Sequence, residues 1–426
     1  MDQTMNQIAH HTDQQIDQRT NITYNPFKQD FPLLANNPQL SFLDSAATAQ
    51  RPAVVLEAQK SFYETMNANP LRGLYTLSVQ ATQAIEKARE HVAHHIGAAR
   101  AEEIVFTRNA SESLNLIAQT LGKQLIHKGD EVVISIMEHH SNLIPWQQLC
   151  AQTGATLVYL RPLKDGMITQ EQIDAAIGPK TKIVSITQVS NVLGVETPTK
   201  CIIARAHQMG AIAVVDGAQS VPHMQVNVQN LDCDLMVFSA HKALGPMGIG
   251  VLYGKLDILN AMPPFLTGGE MIDSVTETSA TWAPVPMKFE AGTQDAAGIY
   301  AFDAALLYIE KIGMDVIEQR ERNLAAYLCE QLNSLDFIDI HGPAEPTRHI
   351  GAVSFSMHGV HPHDVASILD MSNVAIRAGH HCAQPLLSWL GVDSTCRASI
   401  ALYNDKNDID QLIVGLQNVR KIFHAS

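Results

Sequence analysis

Residues 211–242 read AIAVVDGAQSVPHMQVNVQNLDCDLMVFSAHK. Two short apolar runs stand in this stretch, Ala211–Asp216 and Leu235–Phe238. Neither alternates polar with apolar residues, which is the pattern of a strand covered on both faces. The first run closes on Asp216, followed by the small residues Gly217 and Ala218. The second passes through Ser239, Ala240 and His241 to Lys242. Ligands of doubly wound sheets lie beyond the carboxyl ends of the strands. Two neighbouring strands of this kind therefore bring Asp216 and Lys242 to one edge.

The same pattern extends upstream. Glu131–Ile136 (EVVISI), Thr156–Leu160 (TLVYL) and Lys182–Thr187 (KIVSIT) read as further buried strands, and Thr169–Ile177 and Lys200–Met209 as helices between them. Strand, helix and strand at this spacing make a mostly parallel α/β sheet with both faces covered. Glu103–Phe106 reads as a strand, and Arg108–Glu112 opens a helix after it. Downstream, Gly245–Lys255 (GPMGIGVLYGK) is a turn entering a strand, not a phosphate loop, because Leu256 follows the lysine. Residues 260–300 are rich in Pro and Gly and read as irregular, functional loop. A long helical pattern spans Ala297–Leu332, followed by Val353–Phe355, a helix near His363–Asp370, Ala375–Arg377 and a last helix from Asp408. The expected organisation is a flexible polar leader (1–25), a large domain (26–295, with 26–35 packing on the small domain) and a smaller α+β domain (296–426).

The 426 residues include 29 Lys plus Arg against 43 Asp plus Glu, a net charge of −14. With 46% hydrophobic and 17% charged residues the chain can bury a sizeable core. The acidity argues against nucleic acid or an anionic membrane as partner, and no apolar run approaches the roughly 20 residues of a membrane span. Six cysteines stand singly at 150, 201, 233, 329, 382 and 396, with no Cys-x-x-Cys. Neither a disulfide framework nor a zinc ribbon is indicated. The first 20 residues, MDQTMNQIAHHTDQQIDQRT, lack an apolar stretch and are not a secretory signal. The expected compartment is the reducing cytoplasm.

Taken singly, Asp216 is an ordinary helix cap and Lys242 an ordinary turn lysine. Together they match the needs of pyridoxal phosphate: a lysine that forms a Schiff base, and an acid that keeps the pyridine nitrogen protonated. The start of the helix at Arg108-Asn109-Ala110-Ser111-Glu112 offers free N–H groups to a phosphate. His139, in Glu138-His139-His140-Ser141-Asn142, lies at the same edge and suits ring stacking and proton transfer. Cys382, in Gly379-His380-His381-Cys382, has the polar setting of an activated thiolate. Its alternatives are a metal cluster with His361, His363, His380 and His381, which no periodicity supports, and a buried inert cysteine, against which the polar neighbours argue. The other five cysteines read as structural. Arg397, in an apolar stretch, calls for an anion, either a substrate carboxylate or an internal salt bridge.

The chain resembles the pyridoxal-phosphate cysteine desulfurases of the class V aminotransferase group, and within them the SUF-type (group II) branch. The resemblance rests on FLDSAATAQRP (42–52), MEHHSNLIPWQ (137–147), TQVSNVLGVETP (187–198), VVDGAQSVPH (214–223), FSAHKALGPMGIGVLYG (238–254), FEAGTQ (289–294), RAGHHCAQPL (377–386) and CRASIALYN (396–404). It implies the type I fold of pyridoxal-phosphate transferases and a homodimer. It further implies that Lys242 holds the cofactor covalently, that Asp216 pairs with the pyridine nitrogen and that Gln219 bonds the ring hydroxyl. His139 would stack on the ring. Ser111, Ser239 and His241 would hold the phosphate, with Thr293 reaching in from a second subunit. Arg397, Asn191 and Arg377 would bind the substrate. Cys382 would take sulfur from L-cysteine as a persulfide, release L-alanine and pass the sulfur to an acceptor protein of the SUF pathway for iron–sulfur cluster assembly. Selenocysteine lyase, cysteine-sulfinate lyase and aminotransferase activities are the alternatives on this scaffold. Four stretches depart from the family's pattern: Asn109-Ala110-Ser111 replaces Gly-Thr-Thr, Ala243-Leu244 replaces Leu-Tyr, Gln294-Asp295 replaces Pro-Asn, and Leu71 stands for His beside a matching Arg72.

Overall fold

The computed structural model describes residues 19–71 and 73–423. Most of the leader and Arg72 lie outside them. Seven strands build the larger sheet: β1 (Ile104–Thr107), β2 (Glu131–Ser135), β3 (Thr156–Leu160), β4 (Thr181–Thr187), β5 (Ile212–Asp216), β6 (Leu235–Ser239) and β7 (Gly250–Gly254). Their order is β1-β7-β6-β5-β4-β2-β3, and β7 alone runs against the rest. The central strands β5, β6 and β7 are buried at nearly every position, as continuous Val/Ile/Leu-rich runs require. Asp216 is in register with Thr187 on one side and Val237 on the other. The carboxyl ends of β2, β4, β5 and β6 therefore fall on one edge.

Among the helices that frame the sheets are α1 (Ala53–Thr65), α2 (Thr76–His95), α3 (Ala110–Ile117), α4 (Ala296–Ile312), α5 (Met314–Asn333) and α6 (Lys406–Phe423). The helical pattern of 297–332 is two helices, because Gly313 breaks it with a positive φ of 94°. The apolar spacing continues across the break and hides it from the sequence. α4 packs against α1 and α2 and shares the hydrophobic cluster of the large sheet through Phe302, Ala305 and Ile309. From Leu324 onward α5 faces a second cluster with Val353, Phe355, Leu412 and Leu416. That cluster underlies an antiparallel sheet of β8 (Ile338–His341), β9 (Ala352–Met357), β10 (Arg377–Gly379) and β11 (Thr395–Ser399), ordered β8-β9-β11-β10.

Two segments differ from expectation. The leader is anchored from Arg19 on: Asn25 Nδ2 donates to the carbonyls of Leu402 (3.0 Å) and Asn404 (2.9 Å), and the buried Arg320 donates to the Tyr24 carbonyl (3.2 Å). Polar composition reads as a free tail, yet here the polar groups satisfy buried carbonyls. Within 260–300 the chain also forms a hairpin, Ile272–Val275 with Ala280–Trp282. Its strands are largely exposed, so no burial periodicity marks them.

Candidate active site

A cavity of about 290 Å³ opens at the carboxyl edge of the large sheet, against the small domain. Asp216, from the last position of β5, is 5% exposed and accepts from the Ala218 N–H (2.9 Å). Burial raises its pKa, with that hydrogen bond and Lys242 acting against the shift. A buried carboxylate so held needs a cation. Lys242 lies just beyond β6 in a one-turn helix. Burial lowers its pKa to about 8, with Asp216 and Cys382 raising it and Arg397 and Arg377 lowering it. Its amine is therefore half unprotonated near pH 8, a far larger share than an ordinary lysine reaches there, as a covalent attachment site requires. In cofactor-free protein, acylation of Lys242 should be half-maximal near pH 8, well below ordinary lysines. Quantifying the modified peptide across pH checks this, and a midpoint at the ordinary lysine value, above about 10, would contradict it.

The phosphate-binding features also fit. Asn109 caps α3 by accepting from the Glu112 N–H (3.0 Å), and Ser239 Oγ accepts from the Ala110 N–H (2.9 Å). Ser111 Oγ meets Ser141 Oγ at 2.5 Å. The helix start is pressed against β7: a Cβ on Gly250 would fall 2.4 Å from Asn109 Cα. Gly250→Ala should therefore push the N-terminus of α3 out of place and weaken pyridoxal phosphate binding by about tenfold or more. Equilibrium dialysis reads this directly, and unchanged affinity would show that α3 does not grip the phosphate.

His139 lines the same cavity as the lysine. Its Nδ1 accepts from the Ser141 N–H (3.1 Å). Burial, then Lys242, His140 and the two arginines, press its pKa down to about 3. The ring is neutral, and the proton sits on Nε2 because Nδ1 is an acceptor. His241 is neutral as well, lowered to about 4 by burial and then by Lys242 and Arg51. Gln219 Nε2 donates to the Ala46 carbonyl (2.9 Å) and lines the cavity.

Cys382 enters from the small domain. It and His381 have φ of 55° and 50°, a conformation costing non-glycine residues about 1–3 kcal/mol each. Two hydrogen bonds to the large domain hold the pair: Asn191 Nδ2 to the His381 carbonyl (2.7 Å) and the His140 N–H to the Cys382 carbonyl (2.7 Å). The thiol is exposed yet lines the cavity. Arg397 is buried and donates from Nη1 to the Asn191 carbonyl (2.9 Å) and from Nη2 to Asp44 (3.2 Å). The internal salt bridge read from the sequence is thus present, and the arginine's buried Nε has no partner. Arg377 lines the same cavity.

Eleven of the twelve residues singled out from the sequence line this one cavity. Thr293 does not. It lines a separate cavity of about 350 Å³ beside Arg108 and Glu112. Ser141, Glu138 and Asp44 escaped the sequence reading. Glu138 is buried and accepts from Ser135 Oγ, the Thr187 N–H and Asn142 Nδ2, bolting the His139 loop to β4. Its place beside His139 was the available signal. Cys201 is a correction: it is exposed on the helix Thr199–Gln208, whose buried face is carried by Ile202, Ile203 and Ala206. Among the described residues no group of three or more His, Cys, Asp or Glu is arranged to hold a metal ion. No described helix is long and apolar enough to cross a membrane.

A lysine and an acid at the carboxyl edge of a mostly parallel seven-stranded sheet, closed by a smaller α+β domain, define an α/β enzyme of the pyridoxal-phosphate transferase type. The chain belongs to the class-V aminotransferase family, whose pattern matches residues 41–412. It is 49% identical over 399 residues to a probable cysteine desulfurase of Halalkalibacterium halodurans, covering 93% of this chain and 98% of that protein. Among solved structures it resembles a cysteine desulfurase from Escherichia coli (37% identity, TM-score 0.87, 94% of this chain and 100% of that one). It also resembles the apo cysteine desulfurase of Thermococcus onnurineus (38% identity, TM-score 0.89, 95% and 99%).

Proposed function

We infer that the chain is a cysteine desulfurase that uses pyridoxal 5′-phosphate to convert L-cysteine to L-alanine and collects the sulfur on Cys382. The observation that carries this reading is the single cavity shared by Lys242, Asp216, Arg397 and a solvent-exposed Cys382. When bound, the cofactor supplies an electron sink next to the substrate's α-carbon. Lys242 would hold it, Asp216 would pair with its ring nitrogen, and Ser111, Ser239 and His241 with the α3 N–H groups would hold its phosphate. Arg397, Asn191 and Arg377 bind and orient the substrate carboxylate, which fixes the bond that reacts. Lys242 moves the α-proton. His139 donates from Nε2. Cys382 attacks the substrate sulfur as thiolate: an S–S bond forms as the C–S bond breaks, the bonding pair stays with carbon, and carbon takes a proton. Alanine leaves and a persulfide stays on Cys382.

Exposure of that sulfur suits hand-over to an acceptor protein, in this reading one of the SUF pathway that feeds iron–sulfur cluster assembly in the cytoplasm. A homodimer fits the placement of Thr293, which would reach the cavity of a second copy. The exposed run Leu74, Tyr75, Leu77 and Val79 supplies apolar surface for such pairing. The holoprotein given L-cysteine and a reductant should yield alanine and sulfide in equal amounts. A keto acid in place of alanine would overturn the reading in favour of an aminotransferase.

A further inference from the structure

Arg377 and Arg397 are directly opposed on the antiparallel pair β10–β11. Like charges in that position repel. Between them stands Asp44, whose carboxylate lies 3.2 Å from Arg397 Nη2 and 3.6 Å from Arg377 Nη1. The backbone fixes Asp44 on both sides. The Leu43 N–H donates to the Ala375 carbonyl (2.8 Å), the Ser399 N–H to the Leu43 carbonyl (2.7 Å) and the Ser45 N–H to the Ser399 carbonyl (3.3 Å). Asp44 itself is not part of the cavity wall, whereas both arginines are. The buried Nε of Arg397 is left without a partner.

We propose that Asp44 is a positioning residue for the substrate's α-carboxylate: a resident counter-ion that holds the opposed arginines together and leaves the Nε edge of Arg397 to the incoming anion. This rests on the reading of Arg377 and Arg397 as the carboxylate site. Two guanidiniums and one fixed carboxylate carry one net positive charge, the complement of one substrate carboxylate. Arg397 is also tied to the Asn191 carbonyl, but Arg377 is 44% exposed in its side chain. Without Asp44, repulsion turns Arg377 toward water, where its charge is screened. The site then loses a donor rather than gaining attraction.

The test compares L-alanine with ethylamine, which lacks only the carboxylate, by the change each causes in the cofactor absorption of the holoenzyme. Asp44→Asn should weaken L-alanine by about fivefold or more while ethylamine changes less than about twofold, so that the ratio between them collapses. Asp44→Glu should recover part of the ratio, which a purely structural loss would not, and it serves as the reporting variant if Asp44→Asn fails to fold. A ratio that is unchanged or larger in Asp44→Asn, or a Glu variant no better than the Asn variant, overturns the proposal. Failure of the desulfurase reading would show separately, as wild-type holoenzyme that forms no alanine from L-cysteine.

Discussion

Lys242→Ala should form alanine from L-cysteine at least about 10⁴-fold more slowly than the wild type, the range expected when a covalent attachment point and proton carrier are removed together. Lys242 is the described lysine that shares a cavity with Asp216, Cys382 and the two arginines. Burial lowers its pKa to about 8, well below that of an ordinary surface lysine, so none can stand in for it. The fold should survive the change, because the Lys242 side chain makes no hydrogen bond or ion pair to another element among the described residues, and Asp216, whose pKa burial raises, can take up a proton. The measurement is alanine released per enzyme over time, with circular dichroism as the control on folding. A residual rate within about tenfold of the wild type would show that another group carries the proton.

Cys382→Ser should lower alanine formation from L-cysteine on the order of 10³-fold or more, since a hydroxyl does not accept sulfur as a thiolate does. The same variant given selenocysteine should keep its rate within about tenfold, because selenium leaves with less help from a nucleophile. This contrast separates a desulfurase from a selenocysteine lyase on the same scaffold. The loop geometry supports a dedicated role for the thiol. Two consecutive residues, His381 and Cys382, hold left-handed conformations, and bonds from Asn191 and His140 maintain them. Equal loss with both substrates would place Cys382 in the structure of the site instead.

Asp216 and Lys242 were legible because each ends or follows a buried apolar run, and the end of such a run is where a doubly wound sheet presents its ligand. The strand boundaries of the large sheet agree with the sequence reading to within a residue or two for the same reason, whereas the expected Ala375–Arg377 strand is divided between Val374–Ala375, paired with Ser41–Phe42, and Arg377–Gly379 in the smaller sheet. Cys382 was visible through its polar neighbours, although its conformation was not. Asp44 and Glu138 were missed because each follows an apolar residue, Leu43 or Met137, and reads as an ordinary loop acid. Only the tertiary fold brings Asp44 between two arginines from the far end of the chain, and Glu138 against Thr187. Thr293 shows the opposite limit, since its motif resembles the family's while its own chain places it in another cavity. Cys201 was misread because helical context does not say which face a residue takes.

The central claim is that sulfur passes from L-cysteine to Cys382. Holoenzyme should be mixed with L-cysteine for a single turnover without reductant, alkylated, digested and examined by mass spectrometry. The account predicts one alanine per active site and one added sulfur atom on the peptide carrying Cys382, with none on the peptide carrying the exposed Cys201. Alanine formed with Cys382 unmodified, or sulfur found only as free sulfide before any reductant is added, would contradict it.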